Sequence, residues 1–85
     1  MLSAIVLIKA KPAKVATLGP ALAAIDGVSE VYSVTGDEDL VALIHVDDTE
    51  RVALLVTEQI STLDGIIDTR TLIAFRQYDP ADITF

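Results

Sequence analysis

This chain contains no cysteine and no tryptophan, and only 5% of its residues are aromatic. Without cysteine it can form neither a disulfide framework nor a thiolate metal site, which is compatible with the reducing cytoplasm where we expect the protein to act. A catalytic cavity usually needs several converging polar or aromatic groups. Because the chain has two Tyr, two Phe and one His, we predict a protein that is not an enzyme.

Basic residues and long apolar runs are also scarce. Six Lys and Arg stand against 13 Asp and Glu, and the formal net charge is -7. This charge repels a phosphate backbone, so we expect no direct contact with nucleic acid. The apolar run that opens the chain ends at Lys9, well short of the ~20 residues that a membrane span requires, and no basic segment precedes it. We interpret it as a first strand and expect no membrane association.

Aliphatic residues, in contrast, are abundant. Hydrophobic residues make up 52% of the chain, and the mean hydropathy is +0.53. These values exclude disorder and exceed what a self-sufficient monomer of this size usually needs. A chain of 85 residues buries too little surface for two cores, so we predict one domain over residues 1–85.

Hydrophobic periodicity and turn residues divide the chain into six elements and a tail. The predicted strands are Leu2–Ile8, 28–35, Leu40–Val46 and about 66–75, the helices are 13–25 and 49–63, and the tail is 76–85. With right-handed crossovers, this β-α-β-β-α-β order predicts a ferredoxin-like α+β sandwich. Its four-stranded antiparallel sheet has the strand order 4-1-3-2, with two helices on one face. In the tail, Tyr78, Ile83 and Phe85 are apolar enough to dock on another surface.

Three of the predicted strands are apolar on both faces, namely 4–8, 40–44 and 72–75. Two short helices can cover only one side of the sheet. Full burial of an aliphatic side chain contributes about 1.5–3 kcal/mol. If about six to eight such side chains on the other side stayed in contact with water, stabilisation on the order of 10 kcal/mol would be lost. This loss is comparable with the whole stability of a small domain. We therefore predict a dimer that forms through the sheet.

The predicted topology brings polar groups from separate segments to one edge of the sheet. This edge collects Lys9, Lys11, Pro12 at the start of the first helix, the turn 36–39, Thr69 and Thr71. A glycine-containing turn offers backbone N–H groups to a carboxylate, and Asp37 or Asp39 can accept hydrogen bonds from an ammonium group. The edge therefore suits a zwitterion. The alternative is that these residues only shape the hairpin.

Metal binding and catalysis receive less support. Asp37, Glu38 and Asp39 do not predict a metal site, because adjacent carboxylates on a turn point apart and no EF-hand spacing surrounds them. His45 could transfer protons if it faced a cavity, although a histidine packed at the dimer face or a helix interface is the simpler interpretation. With one histidine, the chain predicts no Ser-His-Asp triad, and we expect no catalytic residue and no cofactor.

Two segments, 31–40 and 63–72, resemble the effector-binding domain of the Lrp/AsnC family, also called the RAM domain. The motifs are a Thr-Gly-Asp-x-Asp hairpin and a Leu-x-Gly-Ile-x-x-Thr-x-Thr entry into the last strand. The resemblance implies a ferredoxin-like domain that dimerises through its sheets, forms rings of dimers such as octamers, and binds amino acids or related small effectors between dimers. The ligand-binding residues that it implies are Tyr32, Gly36, Asp37, Asp39, Thr69 and Thr71.

Because residue 1 lies essentially at the first strand, we expect a stand-alone domain that lacks the helix-turn-helix of this family. The expected function is non-enzymatic binding of an amino acid by a homo-oligomer. Ligand-linked assembly, or co-assembly with full-length Lrp/AsnC-type regulators, would then modulate transcription. Two alternatives stay open: a structural interaction module without a ligand, and a small cofactor-free enzyme of the dimeric ferredoxin-like type.

Overall fold

A computed structural model describes residues 2–82 of the chain. The strands are β1 (Leu2–Ala10), β2 (Val28–Ser33), β3 (Leu40–Val46) and β4 (Ile66–Ile73), and the helices are α1 (Val15–Ala23) and α2 (Thr49–Leu54). Short 3₁₀ turns lie at Pro12–Lys14 and Pro80–Asp82, and a π-helical segment at Leu55–Ile60 extends α2. The predicted β-α-β-β-α-β order is confirmed. Over residues 2–82, no helix has the length and apolar character to cross a membrane.

The four strands form one antiparallel sheet in the order β2-β3-β1-β4, as predicted. In the central pair, Leu2 lies opposite Val46 and Ile8 lies opposite Leu40. β4 runs along the other side of β1, and the register shifts between Lys9 and Ala10. The end of β1 is therefore flanked by the start of β3 and the start of β4, which is the arrangement that creates the polar edge.

Strict alternation along the central strands separates the two faces of the sheet. Alternate residues point toward the helices and are buried, namely Ala4, Val6, Ile8 and Ala10 on β1 and Leu40, Ala42, Ile44 and Val46 on β3. They pack with Leu18 and Leu22 of α1 and with Val52, Leu55 and Ile60 from the second helical segment. Because strand side chains alternate with a period of two, the remaining aliphatic residues face away from the helices. We call this second surface the open face.

The second helix begins where the sequence predicts but does not continue as a regular α-helix. The carboxylate of Asp48 caps its first turn by accepting the Arg51 N–H at 2.9 Å. After six residues the helix widens, and Ser61 N–H donates to the carbonyl of Val56 at 2.9 Å. In an α-helix, residues five apart point about 140° away from each other. The π-helical hydrogen bonding stacks them instead, which explains why Leu55 and Ile60 are both fully buried.

A glycine turn leads into β4. Gly65 has a φ of +101°, and a β-carbon added there would lie 2.6 Å from Cβ of Lys14. Its carbonyl accepts the Lys11 N–H at 2.9 Å. Glycine is therefore required both by the left-handed backbone and by the close approach of the segment after β1.

β4 ends at Ile73, two residues before its predicted end. One more backbone hydrogen bond, from Ala74 N–H to the carbonyl of Ser3 at 2.9 Å, continues the pairing with β1. Beyond it, Phe75 is fully exposed and Tyr78 is 75% exposed. Tyr78, which the sequence suggests could dock, therefore does not dock on its own protomer, and Ile83 and Phe85 lie outside the described residues.

Candidate functional site

The loop between β2 and β3, residues 34–39, stands at the edge where β1 ends. Its ends are joined by a hydrogen bond from Val34 N–H to the carbonyl of Asp39 at 3.1 Å. Gly36 has a φ of +108°, and no atom lies within 4 Å of a β-carbon added to it. Backbone conformation, rather than packing, therefore favours glycine here, and the open space leaves the turn accessible to a small molecule.

Asp39 joins this loop to the last residues of β1. Its N–H donates to the carbonyl of Ile8 at 2.9 Å, and its carboxylate Oδ2 accepts the Ala10 N–H at 2.8 Å. The carboxylate thus takes the place of the next carbonyl in the β1–β3 ladder. Asp39 shapes the site through these bonds, which is the hairpin role that the sequence left open as the alternative to ligand binding.

Two cations hold the same loop from the side of β1 and β4. Lys9 Nζ donates to the carbonyl of Asp37 at 2.9 Å. The Arg70 guanidinium pairs with Oε1 of Glu38 at 3.1 Å. Solvent-exposed pairs of this kind contribute little to stability, so their main effect is to orient charges of both signs at one edge.

The Arg70–Glu38 pair is not predicted by the sequence. It depends on the register of β4, in which Arg70 lies opposite Leu7 and therefore shares the open face with it. The only sequence signal is a basic residue between the two threonines of the last-strand motif. The placement of this cation beside the hairpin follows from strand pairing, not from local sequence.

The two threonines of the motif lie on the opposite face from Arg70. Thr69 and Thr71 are paired with Ile8 and Val6, whose side chains point toward the helices. Both threonines are half-buried on that side. Ile8 pairs with Thr69 on one side and with Leu40 on the other. Thr69 and the end of the hairpin therefore flank the same β1 residue. The structure therefore brings Thr69 to the same edge as the turn, whereas Thr71, opposite Val6, lies about 7 Å farther along the sheet.

Tyr32 is a predicted ligand-binding residue that the structure separates from the turn and from Thr69. It pairs with Val41 and lies on the open face. Its strand, β2, is three strands away from β4, which corresponds to roughly 14 Å. The Tyr32 hydroxyl donates a hydrogen bond to the carboxylate of Glu30. This hydrogen bond and the negative charge of Glu30 raise the pKa of Tyr32 above its ordinary value.

An open groove lies beside the hairpin, between α1 and β2. Its volume is about 660 Å³, and its walls include Ala16, Gly19 and Ala23 of α1 with Val31 and Ser33 of β2. The small side chains of α1 create it, since they leave space between the helix and the outer strand. The sequence shows the three- and four-residue spacing of these small α1 residues, but it does not show that β2 faces them. Among residues 2–82, no cluster of three or more metal-ligating side chains accompanies this groove or the edge.

The sequence of this chain matches the Lrp/AsnC ligand binding domain over residues 3–83. The chain belongs to this family. The match confirms the resemblance carried by the hairpin and last-strand motifs, and the family is a regulatory ligand-binding domain of transcription regulators. No curated protein matches the chain.

Solved structures of the same fold include small proteins and longer regulators. TTHA0845 from Thermus thermophilus is 47% identical, with a TM-score of 0.88 over 93% of this chain and 99% of that one. FFRP-DM1 is 30% identical, with a TM-score of 0.82 over 87% and 99% of the two chains. AsnC of E. coli is 24% identical, with a TM-score of 0.83 over 99% of this chain and 56% of that one. This Lrp/AsnC domain thus resembles both whole small proteins and part of a longer regulator.

Proposed function

We propose that this Lrp/AsnC domain is a non-enzymatic sensor that binds an amino acid at a subunit interface. The observation that carries the proposal is the meeting of both charge signs and an accessible glycine turn at one sheet edge of a ligand-binding domain. Lys9 and the N–H groups around Gly36 suit an α-carboxylate, and the carboxylate of Asp37 suits an α-ammonium group. The hydroxyls of Thr69 and Thr71 can satisfy either group.

A second subunit would complete this site. Tyr32 cannot join the threonines within one protomer, because it lies on the other face and about 14 Å away. The turn is also exposed on its outer side. A ligand enclosed by two subunits would stabilise the assembly that contains the complete pocket, so binding and association would be coupled.

Pairing through the open face would supply the first level of this assembly. Ile5, Leu7, Val41 and Leu43 line its centre, and Leu72 on β4 is 48% exposed. These side chains form an apolar surface without a cover in a single protomer. Face-to-face packing of two such sheets would bury it, and further association of dimers into a ring would place hairpin edges next to each other. Co-assembly with full-length family regulators would then link ligand binding to transcription.

Amino acids are the first class of ligand to test. A transcriptional regulator from Neisseria meningitidis, NMB0573, has the same fold at 16% identity and was solved as a complex with L-Met. In this chain the edge carries groups for both ends of an amino acid, whereas the nearby groove is lined mostly by small apolar residues. The groove could accept an apolar side chain, so we expect neutral amino acids to bind better than charged ones.

Calorimetry against the twenty amino acids, together with light scattering, tests this function. We expect one ligand class to bind and to change the mass of the assembly. Asp37→Ala and Thr71→Val should weaken binding at least about tenfold without changing urea unfolding, whereas Asp26→Ala, at the opposite edge, should leave binding unchanged. Absence of binding by all twenty, with no change in assembly, would refute the sensor function.

A structural module without a ligand is the second candidate function. It is favoured by the bonds that the edge already makes, because Asp39 is bonded to Ala10 and Arg70 is paired with Glu38 within one protomer. In this case Asp37→Ala and Thr71→Val would leave every partner interaction intact. Capture of regulators from cells by these variants and by the unchanged protein distinguishes the two functions.

A further inference from the structure

The segment Ala74–Asp79, which follows β4, carries two of the four aromatic side chains of the whole sequence. We call this segment the arm. Phe75 and Tyr78 are among the most exposed large hydrophobic side chains of the described residues. The arm has no regular secondary structure, and its last ladder bond to the sheet is the one from Ala74 N–H. Two exposed aromatics on a short extended segment indicate a surface that contacts another molecule.

The dimensions of the protomer agree with an arm that projects from the body. Its radius of gyration is 13.6 Å, and its principal extents are 47 × 28 × 19 Å. A compact domain of this length has a radius of gyration of about 12 Å. The long axis of 47 Å is compatible with a segment that leaves the sheet instead of folding back on it.

A cleft of about 380 Å³ lies on the open face next to the base of the arm. Its floor includes Ile5 of β1 and Leu43 of β3, and its polar end is formed by Ser3 and His45. The Ser3 hydroxyl and Nδ1 of His45 are joined by a hydrogen bond of 2.8 Å. An apolar floor with a polar end matches the amphipathic side chain of tyrosine, whose ring is apolar and whose hydroxyl needs a partner.

The arm cannot fill this cleft on its own protomer in the observed structure. Its residues Ala74, Arg76 and Gln77 form one wall of the cleft, whereas Phe75 and Tyr78 remain exposed. Two sheets packed face to face are about 10 Å apart. The four steps along the chain from Ala74 to Tyr78 span up to about 14 Å when extended, so Tyr78 can reach a sheet that faces its own.

We propose that the arm is exchanged between two copies of this chain, and that each copy places Tyr78 and Phe75 against the cleft on the open face of the other. The inference rests on the sheet-to-sheet pairing of the proposed function. In a two-fold dimer the exchange is reciprocal, so two arms close the two ends of one interface. Arg76, which stands between the two aromatics, would bring a positive charge to a cleft whose lining includes the carboxylate of Glu30 on the other copy, and this local charge complementarity favours a second copy as the occupant.

Disulfide trapping tests the exchange directly, because the natural chain has no cysteine. Protein carrying Tyr78→Cys is mixed with protein carrying Ser3→Cys and oxidised. We expect a covalent dimer in which mass spectrometry finds the arm peptide joined to the β1 peptide. Protein carrying Thr57→Cys, which lies in the helical segment on the other side of the sheet, is the control partner and should give no such product with Tyr78→Cys.

Sedimentation of the double variant Phe75→Ala/Tyr78→Ala provides a second measurement. Its dimer dissociation constant should rise at least about tenfold, whereas Leu54→Ala, which removes an exposed apolar side chain from α2, should leave it unchanged. A dimer that forms with unchanged affinity and without the arm cross-link would overturn the arm exchange alone. A wild-type chain that stays monomeric at micromolar concentration would overturn the sheet pairing and the exchange together.

Discussion

Replacing Asp39 with alanine removes the oxygen that accepts the Ala10 N–H at 2.8 Å. Leaving a buried donor unsatisfied costs about 1–3 kcal/mol, and because this bond is only partly buried, water can replace some of the loss. We therefore expect Asp39→Ala to lower the free energy of unfolding by about 1–2 kcal/mol. For a domain of 60–100 residues, each kcal/mol lowers Tm by about 4–8 °C, so the expected decrease is roughly 4–16 °C.

Urea unfolding followed by circular dichroism measures this change. The protomer concentration must be held constant, since association adds stability by mass action. The midpoint should fall while the m-value stays the same, which is the signature of lost stability without a change in compactness. The midpoint of Asp39→Asn should lie between those of the wild-type protein and Asp39→Ala, because an amide oxygen can still accept the hydrogen bond but carries no charge.

Asp37→Ala is the matched control, because it removes a carboxylate from the same turn. Lys9 donates to the backbone carbonyl of Asp37 and not to its side chain, so this substitution should change stability by less than about 0.5 kcal/mol. If Asp39→Ala also changes the free energy of unfolding by less than about 0.5 kcal/mol, Asp39 does not anchor the loop to β1. The Asp39 carboxylate would then be available to a ligand.

Three further changes test other contacts. Gly65→Ala should destabilise the domain by more than about 2 kcal/mol in urea unfolding, because the added β-carbon meets Lys14 at a φ of +101°. The hydrogen bond and charge of Lys14 lower the pKa of Asp64, so this ion pair stabilises the fold above the unfolded pKa of Asp64 and its contribution is lost as the pH falls through the folded pKa. Lys14→Met should raise that pKa toward its ordinary value in an NMR titration, and an unchanged value would contradict the pairing. Glu30→Gln should lower the pKa of Tyr32 in an ultraviolet titration of the phenol, whereas a constant pKa would show that Glu30 is not its cause.

Local sequence was sufficient to predict the elements whose residues interact with near neighbours along the chain. The bounds of β3 follow from a run of apolar residues, interrupted only by His45, between a turn and a helix cap. The cap itself, Asp48, bonds to a residue three positions later, which is within reach of pattern reasoning. The order of strands also follows, because handedness and short connections leave few topologies for six elements.

The contacts of the candidate site depend on residues far apart in the chain, and strand register sets them. Asp39 meets Ala10 across 29 positions, and Arg70 meets Glu38 across 32. Sequence periodicity shows which residues share a face but not which residue of the next strand lies opposite. The sequence by itself therefore determined the fold class and the polar character of one edge. Only the tertiary structure decided which polar groups are already bonded, and that Tyr32 lies apart from the threonines, because hydrogen-bond partners across a sheet are selected by pairing and not by proximity along the chain.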